Sequence, residues 1–331
     1  MILWACVWLA SWRWSGLGKF DYPLLFEPIP VPRPWGGGRV CKLYDRPCVE
    51  SAEPIGESWD VSTWPTDPGN PGLATVTKIT NGPLRGRPLD EVANVPVVVK
   101  LLDSADKLSV QAHPVSADVH KDEMWYILHA EPGAYLFYGL EEGIDKSRFC
   151  ELIRSERPDE EAVLGMLRRA DRIKPGMHFN VPTGTVHAVG PGLVAFEISE
   201  RTQVTYRLFD YNRGRQIHIE EGCKAVMSRM PDLRVLDPGL EVDCDGGLLT
   251  LTEFPTFCVI KARGRKIAVR SSKHMHLVTA TMGDCAVTGP TPDWRMTLKH
   301  SFTCLVPPTS SPYTVDTQGS GEALISPLAD G

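Results

Sequence analysis

Apolar residues along the chain fall in short runs broken by proline and glycine, the pattern of a turn-rich β protein rather than a helical one. Residues 22–61 read as loops and short strands: YPLLFEPIPV, PWGGGRV and PIGESWDVST. Residues 76–84 read as a strand ending in a turn at Asn81-Gly82. Residues 95–102, VPVVVKLL, read as a buried strand with one internal charge, Lys100. A lysine in such a run is costly unless it has a partner or a task. Residues 109–140 read as three strands joined by turns. Helical spacing is confined to about 145–173, where Phe149, Leu152 and Ile153, then Val163, Met166, Leu167 and Ala170 share faces. Glu160 and Glu161 start the second of these helices and Arg168 and Arg169 end it, as the helix dipole favours. Strand-and-turn text resumes at 174–213, and after a linker-like stretch at about 230–247 it continues to about 326.

A faint repeat changes this picture from one unit to two. The stretch VPTGTVH at 181–187 aligns with VPPTSSP at 306–312, so Pro312 stands where the first copy has His187. His274 and His276 are the later copy's only metal-ligand pair. The expected organisation is an N-terminal appendage at 1–16, a metal-binding domain at 17–230 containing the helical insert, and a degenerate second barrel at 231–331.

Composition adds limits. The chain has 331 residues, 42% hydrophobic and 23% charged, which suits a globular protein. Net charge is −6 and no basic patch stands out, which argues against nucleic acid as a partner. The 9 cysteines are scattered with no CxxC pair and read as reduced thiols. Residues 1–16 are apolar and rich in tryptophan but lack a basic leader and a cleavage signature, and are too short to span a bilayer. A cytoplasmic protein with no membrane partner is expected.

The strongest chemical signal is Gly176-x5-Pro182-x-Gly184-x2-His187, the spacing of the second cupin motif. Its glycines and proline bend the chain back so that His187 points inward. Upstream, Gln111 and His113 share one strand face by the two-residue period, and Glu123 comes from the next strand. Two histidines and a carboxylate, with Gln111 as a neutral oxygen ligand, make a suitable zinc site. The fold class expected is mainly β, two cupin (jelly-roll) barrels with a small α-helical insert.

Several segments then point to one family. VVVKLLDSADKLSVQAHP, KDEMWYILHAEPGA, PTGTVHAVGPGLVAFEIS and TYRLFDYNR resemble type I phosphomannose isomerases, as do PWGGGRV and IGESWDVS. The resemblance is strong over 22–213, weak beyond, and closest to the short bacterial form. It implies one Zn²⁺ per chain on Gln111, His113, Glu123 and His187. It places Arg207 on the active-site arginine, and Lys100, Lys121 and Glu197 on polar positions of the pocket, with Glu57 close by. The implied reaction interconverts mannose 6-phosphate and fructose 6-phosphate through a cis-enediol, with zinc as Lewis acid. Arg207, Glu197 and Lys121 are then catalytic, and Lys100 and Glu57 substrate-binding. Glu197 is either the proton shuttle or a group that orients its neighbours. The loop between His113 and Glu123 is shorter than the family's, and His120 is an alternative ligand. A cupin enzyme using non-haem iron, and a sugar-phosphate-binding protein without turnover, are the competing readings.

Overall fold

The computed structural model describes residues 20–115, 120–202, 204–227, 240–309, 312–318 and 321–330; the N-terminal appendage lies outside them. Two pairs of antiparallel sheets dominate. In the first pair, a six-stranded sheet has the order His178–Val181, Glu123–Ala130, Leu193–Glu200, Val97–Ser104, Ile55–Val61, Ile29–Pro32. It faces a five-stranded sheet of Leu167–Ala170, Leu136–Leu140, His187–Val189, Val110–Ala112 and Tyr206–Phe209. Trp35, Leu102, Trp125, Leu136, Val189 and Ala195 form the apolar layer between them.

The second pair repeats the arrangement with strands from the later part of the chain. Its six-stranded sheet includes Leu24–Leu25, hydrogen-bonded to Thr303–Val306, so the start of the described chain is built into the later half. Here His276 Nε2 lies 2.5 Å from the Tyr313 hydroxyl, and His274 pairs with Asp330 at 3.2 Å. Burial pushes the His276 imidazole down to about 4, so it sits in this core as a neutral, hydrogen-bonded group.

Two-residue alternation divides the central strands between two tasks. Val97, Val99 and Leu101 join Met124, Tyr126, Phe196 and Ile198 in the large core shared with the second half. The intervening Lys100 on Val97–Ser104, Glu123 and Trp125 on Glu123–Ala130, and Glu197 on Leu193–Glu200 turn the other way, into a cavity. Each of these buried strands carries a charged residue on a cavity-facing side that is otherwise largely apolar, which is why Lys100 stands inside an apolar run.

Three expectations are corrected. Arg39–Tyr44 is a six-residue helix within a segment expected to be only loops and strands. The second insert helix spans Glu160–Leu164, and Leu167–Ala170 is a strand paired with Leu136–Leu140. Gly165 caps the helix there, and Leu167 and Ala170 satisfy an edge strand as well as they would a helix face. Finally, not all cysteines are free: Cys41–Cys48 and Cys150–Cys223 are disulfides. The second joins positions 73 apart in sequence, which the fold brings to a Cα separation of 5.8 Å. Among the described residues Cys244, Cys258, Cys285 and Cys304 remain thiols.

Candidate metal centre

His113 follows the short strand Val110–Ala112, Glu123 opens Glu123–Ala130, and His187 opens His187–Val189. Gly176 and Gly184 both adopt φ of +87°, the left-handed conformation that glycine tolerates, and these two turns deliver the strand before His187 and the bend into it. Among the described residues, His113, Glu123 and His187 are the one cluster of three metal-ligating side chains, with ligand atoms within 4.8 Å of one another. All three are buried.

The hydrogen bonds set the tautomers. His113 Nδ1 lies 3.0 Å from the Val204 carbonyl and His187 Nδ1 2.9 Å from the Thr185 carbonyl. A carbonyl can only accept, so in the neutral rings both Nε2 atoms present lone pairs inward. His113 Nε2 is buried and makes no hydrogen bond, though Glu123 Oε1 lies 3.0 Å away. Glu123 Oε2 is 3.9 Å from His187 Nε2, and the Gln111 Nε2 amide donates to the same nitrogen at 3.1 Å, while Gln111 Oε1, the oxygen expected as a ligand, accepts from Ser109 Oγ at 3.3 Å. His113 Nε2, His187 Nε2 and the Glu123 carboxylate thus face one another, with Lys121 Nζ and Gln111 Nε2 as hydrogen-bond donors beside them. Burial pushes His187 down to about 4, against the pull of Glu123, which leaves it neutral and able to ligate. Burial opposes ionisation of Glu123, but the Lys121 ammonium, 2.8 Å away, outweighs it and holds the carboxyl well below the ordinary range.

Of the three, Glu123 lines a cavity of about 1140 Å³, beside Gln111 and Lys121, and the two histidines are not among its lining residues. Lys121 Nζ is 2.8 Å from Glu123 Oε1 and the side chain is buried, not solvated. Burial opposes its charge, yet Glu123 and Glu197 raise its pKa. Lys100 Nζ is 3.9 Å from Glu197 Oε1 and 4.1 Å from the centre of the Trp59 ring. For this lysine burial prevails over Glu57 and Glu197, and its pKa falls. Glu197 moves the other way: burial and Glu123 raise it, against Lys121 and Lys100. Its Oε2 accepts from Trp125 Nε1 at 3.3 Å and its Oε1 from Ser199 Oγ at 3.2 Å.

Glu57 accepts from Arg33 Nη2 at 2.9 Å and from Trp59 Nε1 at 2.8 Å. Burial opposes its charge, but Arg33 and Lys100 bring its pKa to about 2. Arg207 stands on the opposite sheet and lines the same cavity. Its Nη1 donates to the Gln216 carbonyl at 2.6 Å, while Nε is buried without a hydrogen bond. His120 is not drawn into the cluster; its Nε2 is 3.0 Å from Glu200 Oε1. No sequence pattern marks Arg33, whose guanidinium bridges Glu57 and Asp67, because it is a single arginine between two prolines. Arg215 and His218, which also line the cavity, follow TYRLFDYNR too loosely to be singled out.

A mannose-6-phosphate isomerase of Streptococcus mutans is 31% identical to the chain over 237 residues, 63% of this chain and 69% of the relative. The chain belongs to the mannose-6-phosphate isomerase family. The crystal structure of the mannose 6-phosphate isomerase from Bacillus subtilis matches with a TM-score of 0.73 at 22% identity, covering 93% of this chain and 100% of that one. A mannose 6-phosphate isomerase bound with zinc and yttrium matches with a TM-score of 0.66 at 15% identity. These two likenesses show the fold, mainly β with paired cupin barrels and few helices, as expected for this family. No family model matches the chain.

Proposed function

We propose that the chain interconverts mannose 6-phosphate and fructose 6-phosphate, using one Zn²⁺ held by His113, Glu123 and His187 with Gln111 beside them. The observation that carries this reading is the approach of the two histidine Nε2 atoms to Glu123, whose side chain lines a cavity together with Lys100, Lys121, Glu197 and Arg207. Two imidazoles and one carboxylate suit zinc, and one structural neighbour is named as zinc-bound. A zinc ion there supplies Lewis acidity for a carbonyl and an enediolate.

The remaining chemistry falls to the chain's side chains. Glu197 is the candidate base that carries the proton between C1 and C2. Burial and the nearby Glu123 raise its pKa, which favours uptake of a proton. Lys121 fixes the Glu123 carboxylate and assists proton transfer. Arg207, whose buried Nε makes no hydrogen bond and has Asp210 Oδ1 4.0 Å away, stabilises developing oxyanion charge. Lys100 and Glu57 bind substrate, and Lys100 also supplies positive charge beside Glu197. The cavity has room for a hexose phosphate. Residues 17–230 form the catalytic domain in this reading, and 231–331 a second barrel that supports it. A charged intracellular metabolite as substrate supports a cytoplasmic setting; no helix among the described residues is long and apolar enough to cross a membrane.

Incubation of zinc-loaded protein with mannose 6-phosphate in D₂O, followed by NMR, tests the reading. Fructose 6-phosphate labelled with deuterium at C1 is expected. No conversion by folded, zinc-loaded protein overturns it.

A further inference from the structure

Glu123 and His187 both open strands, and the chain reaches each of them through a bend. Glu123 pairs with Val181 across the sheet. The ladder cannot continue past that pair in the ordinary way, because the next residue on the partner strand is Pro182, which has no N–H. In its place stands a side chain. Asp122 Oδ1 accepts from the Thr183 backbone N–H at 2.8 Å and from the Thr183 hydroxyl at 3.0 Å. The same hydroxyl accepts from the Lys121 N–H at 2.8 Å. Asp122 and Thr183 are buried.

The other side of this junction is also tied. The Asp122 N–H donates to Glu200 Oε2 at 2.9 Å, and the Glu200 N–H donates to the Asp122 carbonyl at 3.1 Å. Beyond Thr183, the Thr185 N–H donates to the Pro182 carbonyl at 3.0 Å, closing the bend. The Thr185 carbonyl in turn accepts from His187 Nδ1 at 2.9 Å. A continuous set of hydrogen bonds therefore runs from the residue before one ligand to the ring of another. Only nine residues separate His113 from Glu123.

We propose that Asp122 is a positioning residue for the metal centre, fixing Glu123 and His187 relative to one another through Thr183. The proposal rests on the zinc reading above. It assigns Asp122 no contact with metal or substrate; its effect passes through the backbone at Lys121–Glu123 and the bend 182–185. A ligand set held in register needs no ordering when the ion binds, and partners of ligands typically contribute 10- to 100-fold to affinity.

The experiment is zinc affinity by competition with a chromogenic chelator, on wild type, Asp122→Ala, Asp122→Asn and His187→Ala, with thermal melting of each metal-free protein. Asp122→Ala is expected to weaken zinc binding by about 10- to 100-fold, and Asp122→Asn, which keeps the Oδ1 acceptor, to stay within about threefold of wild type. In Co²⁺-loaded protein, Asp122→Ala is expected to change the visible ligand-field spectrum and Asp122→Asn to preserve it. Wild-type affinity and spectrum in folded Asp122→Ala, with only its melting temperature lowered, would mean a merely structural role and overturn the proposal. Equal loss in the alanine and asparagine variants would do the same. Should Asp122→Ala not fold, Thr183→Val removes both hydroxyl bonds, keeps the backbone bond, and is held to the same outcomes. If wild type and His187→Ala bind zinc alike, the metal site itself is misassigned, a result distinct from failure of the Asp122 proposal alone.

Discussion

His113 Nε2 lies 3.0 Å from Glu123 Oε1, and no hydrogen bond joins them. With the Nδ1 proton committed to the Val204 carbonyl, the facing atoms are two electron-pair donors. Such a contact is unfavourable unless a cation or a proton is shared, and His187 Nε2 brings a third donor to the same place. The pair reads as two edges of a coordination shell.

His187→Ala is therefore expected to abolish stoichiometric zinc binding and isomerase activity together, as removal of one of three protein ligands does at such sites. Metal content by atomic emission, measured on the same sample as turnover, checks this. A metal-loaded, fully active variant would remove His187 from the site.

Arg207→Ala should separate the two properties. Arg207 makes no contact with His113, Glu123 or His187 in the hydrogen bonds and ion pairs described, so metal content should be unchanged. Turnover should fall by at least ~100-fold, the scale of losing a donor to developing negative charge. Near-normal kcat would end its catalytic assignment.

Glu197→Gln decides between a proton shuttle and an orienting group. Glutamine keeps a carbonyl oxygen for Trp125 Nε1 or Ser199 Oγ but cannot take up a proton at neutral pH. As a shuttle, Glu197 predicts a loss of about 10²- to 10⁴-fold in kcat with zinc retained. A change within a few-fold would leave it the task of holding Trp125 and Lys100.

Glu57 gives a prediction in pH. Its carboxyl drops from an ordinary value of 4.5 to about 2 in the folded protein. A depressed carboxylate contributes stability that is complete above its unfolded value and is lost as pH falls through its folded one. In urea unfolding of the metal-free protein, wild type should exceed Glu57→Gln by up to about 3 kcal/mol above pH 4.5. The gap should close as pH falls from 4.5 toward about 2. A gap that is constant over that window would show that Glu57 is not held ionised by Arg33 and Lys100.

The cluster of His113, Glu123 and His187 was legible in sequence because its residues sit at spacings imposed by strand and turn geometry. Gln111 and His113 are two apart, and His187 follows a bend whose glycine and proline positions are fixed by backbone conformation. Lys100 was legible for the opposite reason, as a charge where the strand is otherwise apolar. Arg33 and Asp67 were not, since they meet only through tertiary structure and each sits in irregular chain. The helix Arg39–Tyr44 is shorter than two turns and leaves no period to detect. The strand Leu167–Ala170 was hidden because Leu167 and Ala170 are three apart, the spacing of a helix face, and a register shift between Leu167 and Arg169 breaks the strand's two-residue alternation. The Cys150–Cys223 bond depended on docking the insert helix Lys146–Ile153 against Ile219–Ala225, which no local pattern encodes.

The central claim is a zinc-dependent isomerase. The most direct measurement is a coupled assay of mannose 6-phosphate to fructose 6-phosphate on protein stripped by chelator and then reloaded with zinc. The account predicts that activity disappears on stripping and returns with about one zinc per chain. Activity that survives complete stripping, or no activity in folded, zinc-loaded protein, would contradict it.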